Sequence, residues 1–340
     1  MTIATSITEE LAAIRTGAAI YPLTSRAFLR ITGSDATRWL NGMVTNNIAA
    51  LAPGEGNYNF LLNAQGRIQG DCNLYRDLTI EPPSFILETD AVQLDAIQQH
   101  LDKFIIMDDV ELTRGLNIYG NRVEASPMGL ALTGPRASEL LLKTILSRNN
   151  IDAFPQPPEP GTTTRGSHEG NEVLVLTPPN SSNTFEIWCW NRGIIKELYR
   201  VWEFYNATPV STEAIEAFRI LSATPKFGVD ITEKYLPQET AQTHALHFSK
   251  GCYLGQEIVE RIHSRGQVHR TFTQFTLTGE MPQLPAPLES NGKPAGELTS
   301  AALIDGTPYA LGYARREFLE TNQQLTYPGG IAAPKLRTYN

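Results

Sequence analysis

Cysteine is scarce in this chain: three in 340 residues, at Cys72, Cys189 and Cys252, with no C-x-x-C pair among them. Thiols so few and so far apart argue against a disulfide framework or a zinc ribbon, and they suit a reducing cytoplasm, which is the location expected. Long apolar runs are missing as well, and none approaches the length of a membrane-spanning helix. Basic residues are the minority, 28 Lys and Arg against 36 Asp and Glu, for a formal net charge of −8. That balance argues against a broad electrostatic grip on nucleic acid or an anionic membrane and leaves room only for a local patch. The first residues carry Glu9 and Glu10 and lack a basic start followed by an apolar core, so a secretory signal is not expected. There is no repeat of fixed period and no low-complexity tract.

What remains is an ordinary globular composition, 41% hydrophobic and 19% charged, long enough for two or three packed units. Ser34 or Asp35 is placed to cap a helix running to about Asn46. Residues 57–62 and 67–75 read as two strands joined by the turn Asn63-Ala-Gln-Gly66. Asp90 with Gln93 resembles a capping box, and Leu94, Ile97, Leu101 and Phe104 recur at helical spacing after it. Pro135 opens another helix carrying Leu140, Leu141 and Ile145. Residues 155–171, dense in Pro, Gly and Thr, read as a surface loop. Strands are expected over 173–176 and 185–190, and helices over 193–205 and 213–222. From residue 270 onward, short β-prone runs (271–277, 295–303, 309–315 and 324–327) punctuated by Gly and Pro predict a small β-barrel or sandwich, with 281–287 a loop within it. The order is an α+β body over 1–248, then a unit over 249–340 that starts with a glycine-flanked cysteine.

That junction reads Lys250-Gly-Cys-Tyr-Leu-Gly-Gln-Glu257. A thiol reacts as its thiolate, which a neighbouring cation favours, and Lys250 and Cys252 would share a face if the piece is extended. A lone cysteine is more often buried and inert. Its place between two units, where small-molecule clefts are common, tips the balance toward function. His263 and His269 are not at paired metal-ligand spacing and Cys252 is distant from both, so no protein-only metal site is expected.

The run from Lys250 to Glu257 resembles the K-G-C-Y-x-G-Q-E signature of the YgfZ family of folate-binding proteins, relatives of the glycine-cleavage aminomethyltransferase, GcvT. The stretches Trp39 to Ile48, Phe60 to Ile68, Arg219 to Leu221, Pro225 to Asp230 and Leu236 to Glu239 follow in the family's order. The resemblance implies a ring of α+β lobes around a central tetrahydrofolate channel, closed by a C-terminal β-barrel. It also implies a part in assembly or repair of iron–sulfur clusters, with client iron–sulfur proteins that include radical enzymes modifying tRNA. Functional roles carry over to Cys252 and Lys250, with Cys252 a nucleophile, an electron donor or a transient cluster ligand at the channel mouth. Arg219 matches an arginine that meets folate in the transferases.

The departures from the transferases are specific. Where they carry paired aspartates, this chain has Gly70-Asp71, so Asp71 alone is left as acceptor or general base. The glutamate that holds their pterin is missing from Ser181-Ser-Asn-Thr-Phe-Glu-Ile187, although Glu186 on the strand remains. Gln256 and Glu257 are further candidates for the folate, each with a plain structural alternative: a glutamine satisfying backbone groups, and an ion pair of Glu257 with Arg261 one helical turn on. The competing function is a folate-dependent aminomethyl transfer, which needs a carboxylate close to the reacting nitrogen.

Overall fold

Strict alternation along the strand Ile68–Arg76 sorts its side chains onto two faces. Cys72 and Leu74 join a core with Leu29, Leu87 and Leu101, while Asp71, Asn73 and Tyr75 point the opposite way. The structure, a computed structural model, describes residues 6–78, 82–115, 127–147, 156–181, 183–266 and 268–335. In its first sheet the strand order is Gly56–Leu62, Ile68–Arg76, Phe85–Asp90, Arg26–Thr32 and Glu111–Arg114, all antiparallel. Helices Ala36–Asn41 and Leu94–Asp102 cover one face, contributing Trp39, Leu40, Ile97 and Leu101.

The second sheet runs Thr208–Pro209, Ala19–Leu23, Met128–Thr133, Thr184–Cys189, Asn171–Thr177, Thr162–His168 and Leu146–Ser147. Helices Ala137–Thr144 and Arg192–Phe204 cover its outer face. The two inner faces meet through Phe28, Tyr75 and Ile86 on one sheet and Leu174, Leu176 and Trp188 on the other. Phe28 and Trp188 pack edge to face, with ring centroids 4.7 Å apart. Trp188 lies across its register partner Gly129, where a Cβ would stand 2.5 Å from the indole.

The third unit is a closed barrel of six strands, Arg270–Gly279, Thr307–Arg315, Lys293–Ile304, Ala286–Ser290, Leu325–Tyr327 and Gly330–Lys335. It is not a separate bead. Ile220, Ala223 and Tyr235 share one core with the barrel's Phe272, Leu311 and Tyr313. Leu11, Ile14 and Ala214 share another with Ile304. Residues 249–266, grouped with the barrel on sequence, lie against the body instead: Tyr253 and Val259 are buried with Phe60, Leu62 and Ile68.

Four local expectations are corrected. The helix after Asp35 ends at Asn41 because Thr45 is drawn off to pair with Phe60 and to donate to the Ala245 carbonyl. Asp35 does not cap it, its carboxylate accepting from Asp109 N and Arg38. Within 155–171 (residue 155 lies outside the described residues) the strand Thr162–His168 forms, closed onto Asn171–Thr177 by Glu169 and Gly170. Both turn residues have positive φ, 47° and 75°, the geometry of a tight two-residue hairpin. The strand Ala286–Ser290 starts inside the Pro-rich 281–287, and Pro287 fits there because the strand's second neighbour pairs with it only at Glu289.

Candidate functional site: a polar cleft between the sheets

Because Asp71 and Asn73 share the inner face of their strand, the first sheet turns polar where the apolar contact with the second one stops. A cleft of about 660 Å³ opens there. Arg26, Tyr58, Asp71 and Asn73 line it from the first sheet and Tyr21 from the second; Ile215, Phe218 and the pair Pro178 and Pro179 supply apolar walls. Its size and mixed lining are those of a small-molecule site.

Asp71 is the centre of its hydrogen bonding. The Tyr58 hydroxyl donates to Oδ2 at 2.6 Å and Gln93 Nε2 donates to Oδ1 at 2.8 Å, while Gln93 Oε1 accepts from the Asp71 backbone N–H at 3.1 Å. Desolvation raises the Asp71 carboxyl above the ordinary aspartate value, against the Tyr58 and Gln93 bonds that lower it. Each oxygen keeps acceptor capacity for a ligand N–H. Gln93 is therefore not half of a capping box. Asp90 caps the following turn through Val92 N–H, and Gln93 faces the strand. Gly70 admits that helix, since a Cβ there would meet Ile97 at 2.9 Å.

Beneath Arg26 a buried acidic pair joins the sheets. Arg26 Nε donates to Glu88 Oε1 at 2.7 Å and Asn73 Nδ2 to Glu88 Oε2 at 3.0 Å; Trp188 Nε1 donates to Glu186 Oε2 at 3.3 Å. Burial raises Glu186 well above the carboxylate range and the neighbouring Glu88 charge adds to that. Burial is the largest single influence on Glu88 and opposes its ionisation, but Arg26 together with the hydrogen bonds from Asn73 and Glu186 more than offsets it and holds the group below the usual glutamate value. The two carboxyls are therefore pushed apart, Glu186 toward its protonated form and Glu88 toward its ionised one. It stands one layer behind the cleft wall rather than in the lining.

Arg219 lines the cleft but is committed elsewhere. Its five N–H donors go to the Glu216 carboxylate twice, to Thr224 O, to Asp230 Oδ2 and to Ser300 Oγ, at 2.6 to 2.9 Å. No donor is left for a folate carboxylate. The residue locks helix Thr212–Leu221 to the fully buried Asp230 and to the barrel.

Residues 250–257 line neither this cleft nor the larger recess of about 1020 Å³ between body and barrel. Lys250 points inward: Nζ donates to Val44 O at 2.7 Å and to Asn46 O at 2.6 Å, and lies over the Tyr253 ring. Burial lowers its amine to about 7. Cys252 points out, exposed, with no hydrogen bond to its Sγ among the described residues; Cys72 and Cys189 are buried. The expected Lys250–Cys252 pair is therefore not formed, because the piece is irregular rather than extended. Gly255, with φ +82°, seats the segment on the Asn63–Gly66 turn, where a Cβ would fall 2.5 Å from Asn63 O. Gln256 Oε1 accepts from Tyr253 N–H at 3.1 Å, so it serves the backbone, and Glu257 is exposed and forms no ion pair with Arg261 among the described residues. Arg26, Tyr58, Asn73 and Gln93 were missed on sequence; the alternation that carries Asp71 also marks Asn73, whereas the other three are brought in by pairing and by a helix.

A family model described as the GCVT N-terminal domain matches residues 1–250. The iron-sulfur cluster assembly factor IBA57 homolog, mitochondrial, of Neurospora crassa is 28% identical over 282 residues, 79% of this chain and 56% of that protein. The chain thus spans little more than half the length of that relative. An aminomethyltransferase of Staphylococcus haemolyticus is 24% identical over 332 residues, 94% of this chain and 85% of its own. Among solved structures, glycine cleavage system aminomethyltransferase T from Bartonella henselae matches with TM-score 0.79 at 18% identity, over 99% of this chain and 90% of that one. The α+β body with its closed barrel is the fold of that protein.

Proposed function

The chain belongs to the family of the GCVT N-terminal domain, and on that premise we propose a tetrahydrofolate-binding protein of the YgfZ type, acting in iron–sulfur cluster assembly or repair. One observation carries the proposal: a part-buried carboxylate, held by Tyr58 and Gln93, faces an apolar-walled cleft, while a single exposed thiol stands outside it. The cleft suits a flat, polar-edged ring. Asp71 would accept its N–H groups, Arg26 would counter negative charge, and Phe218 and Pro178 would cover its faces. Tetrahydrofolate, when bound, supplies ring nitrogens able to carry a one-carbon unit. Cys252 would act on client iron–sulfur proteins, radical tRNA-modifying enzymes among them, as nucleophile, electron donor or transient cluster ligand. The name of the Neurospora crassa relative supports the cluster-assembly reading.

Thermal-shift titration with tetrahydrofolate tests the first half, because a ligand of the native state raises stability by mass action. Wild type should shift and Asp71→Ala should not; an unshifted wild type at saturating folate removes the folate reading. Cys252→Ala should keep the shift yet lose rescue of radical-enzyme activity in a strain lacking the protein. Full rescue by that variant removes the thiol's role and leaves a passive folate scaffold.

The aminomethyltransferase reading is favoured by one observation, the alignment covering 94% of this chain. Asp71, its carboxyl raised by desolvation, would serve as the base beside the folate nitrogen. Turnover of an aminomethyl donor by the purified protein, abolished in Asp71→Asn, would select it over cluster assembly.

A further inference from the structure

We propose that His168, Glu169 and Glu197 bind a divalent transition-metal ion, of the Zn²⁺ class, that ties the hairpin turn after strand Thr162–His168 to helix Arg192–Phe204. The three residues offer one imidazole nitrogen and two carboxylate oxygens, all within 4.8 Å of one another. None of them lines the cleft or the larger recess, so the site is independent of the folate proposal.

The decisive member is His168. Its ring is buried, 7% exposed, and Nδ1 lies 2.8 Å from the Thr144 carbonyl oxygen. A carbonyl only accepts, so Nδ1 carries a hydrogen, which leaves Nε2 as the ring atom whose lone pair a metal ion would take. That Nε2 is buried without a hydrogen-bond partner and is aimed at Glu197, with Oε1 4.0 Å away. Histidines that ligate metals commonly donate their other N–H to a carbonyl, which fixes tautomer and ring orientation. Thr144 is itself pinned, its hydroxyl donating to Leu140 O and accepting from Trp202 Nε1.

The carboxylates complete the case. Glu169 is the first residue of the two-residue turn, and its left-handed φ of 47° places it beside the end of the His168 strand. Glu197 approaches from the helix. Both are more exposed than His168 and free to draw in, while the imidazole stays fixed. Two carboxylates would balance a 2+ ion, and three protein ligands leave a fourth position for water. The nitrogen donor and the small oxygen count disfavour Ca²⁺ and Mg²⁺. The pattern escapes a spacing search because Glu197 stands far along the chain from the His168-Glu169 pair.

The test uses the full chain stripped with a chelator and titrated with ZnCl₂ by calorimetry and thermal shift, and with Co²⁺ by absorption. One ion per chain should bind in the micromolar range or tighter and raise the melting temperature. Glu197→Gln, on a partly exposed helix position that leaves folding intact, should weaken binding by at least about tenfold, and His168→Gln should do the same. Cys252→Ser should leave ion affinity and stoichiometry unchanged, and the Co²⁺ spectrum should lack a thiolate charge-transfer band. Binding that survives Glu197→Gln, that vanishes in Cys252→Ser, or that needs millimolar ion would overturn the proposal.

Discussion

The floor of the cleft and residues 250–257 both concentrate polar side chains, yet they treat them in opposite ways. At the cleft, Asp71 is braced by two donors and retains acceptor capacity toward open space. In the 250–257 segment, Lys250, Gln256 and Gly255 are consumed in docking the backbone, and only Cys252 and Glu257 face outward beside Gly251. A short sequence pattern can therefore be specific while most of its letters are structural. The difference also separates two roles that sequence merges, since the cation next to the thiol serves carbonyls rather than sulfur.

The comparison can be broken by substitution. The largest effect should come from Arg219→Met, which strands the fully buried Asp230 carboxylate and should cost about 3–5 kcal/mol in chemical denaturation. If that variant kept wild-type stability while losing folate affinity, Arg219 would be a ligand after all. Gly255→Ala should cost about 1–3 kcal/mol, through left-handed backbone and the close approach to Asn63 O, without altering the affinity of the cleft. Glu186→Gln tests the acidic pair through pH. Because the Glu186 value is raised in the folded state, its contribution is intact below the unfolded value of about 4.5 and fades as pH climbs above it. The glutamine donates to Glu88 and accepts from Trp188 at any pH, so the variant should gain on wild type steadily from acid to neutral conditions. A parallel pair of stability–pH curves would show the pair shares no proton. The smallest effect should be that of Cys252→Ser, within about 0.5 kcal/mol of wild type, as befits an exposed side chain with no hydrogen-bond partner among the described residues.

Much of this was legible beforehand. Residues 57–75 announced a hairpin by alternation around Asn63-Ala-Gln-Gly66, and it is there. The helices expected after Asp90, over 193–205 and over 213–222 are present as Leu94–Asp102, Arg192–Phe204 and Thr212–Leu221. What escaped depended on partners distant in the chain. Thr45 left its helix because Phe60 and Ala245 offered bonds, and the Thr-rich strand at 162 was obscured by surrounding Pro and Gly. At the cleft, Asp71 is singled out by the resemblance to the transferases' paired aspartates, whereas its braces come from a neighbouring strand and the start of a helix. Arg219 is expected from the resemblance to contact folate, and only the tertiary structure reveals that all five of its donors are taken by protein groups.

The lock formed by Arg219, Asp230 and Ser300 has a thermodynamic consequence. The barrel's Ser300 hydrogen-bonds to both members of that body ion pair, and body and barrel share two mixed apolar cores, so neither can lose structure without exposing the other's interior. Calorimetry of the whole chain should accordingly give one endotherm. A fragment cut at residue 250, where the family match ends, would leave Arg219 and Asp230 without their Ser300 and Thr299 partners and Ile220 bare to water. The stretch matched by the family model is thus shorter than the unit expected to unfold together.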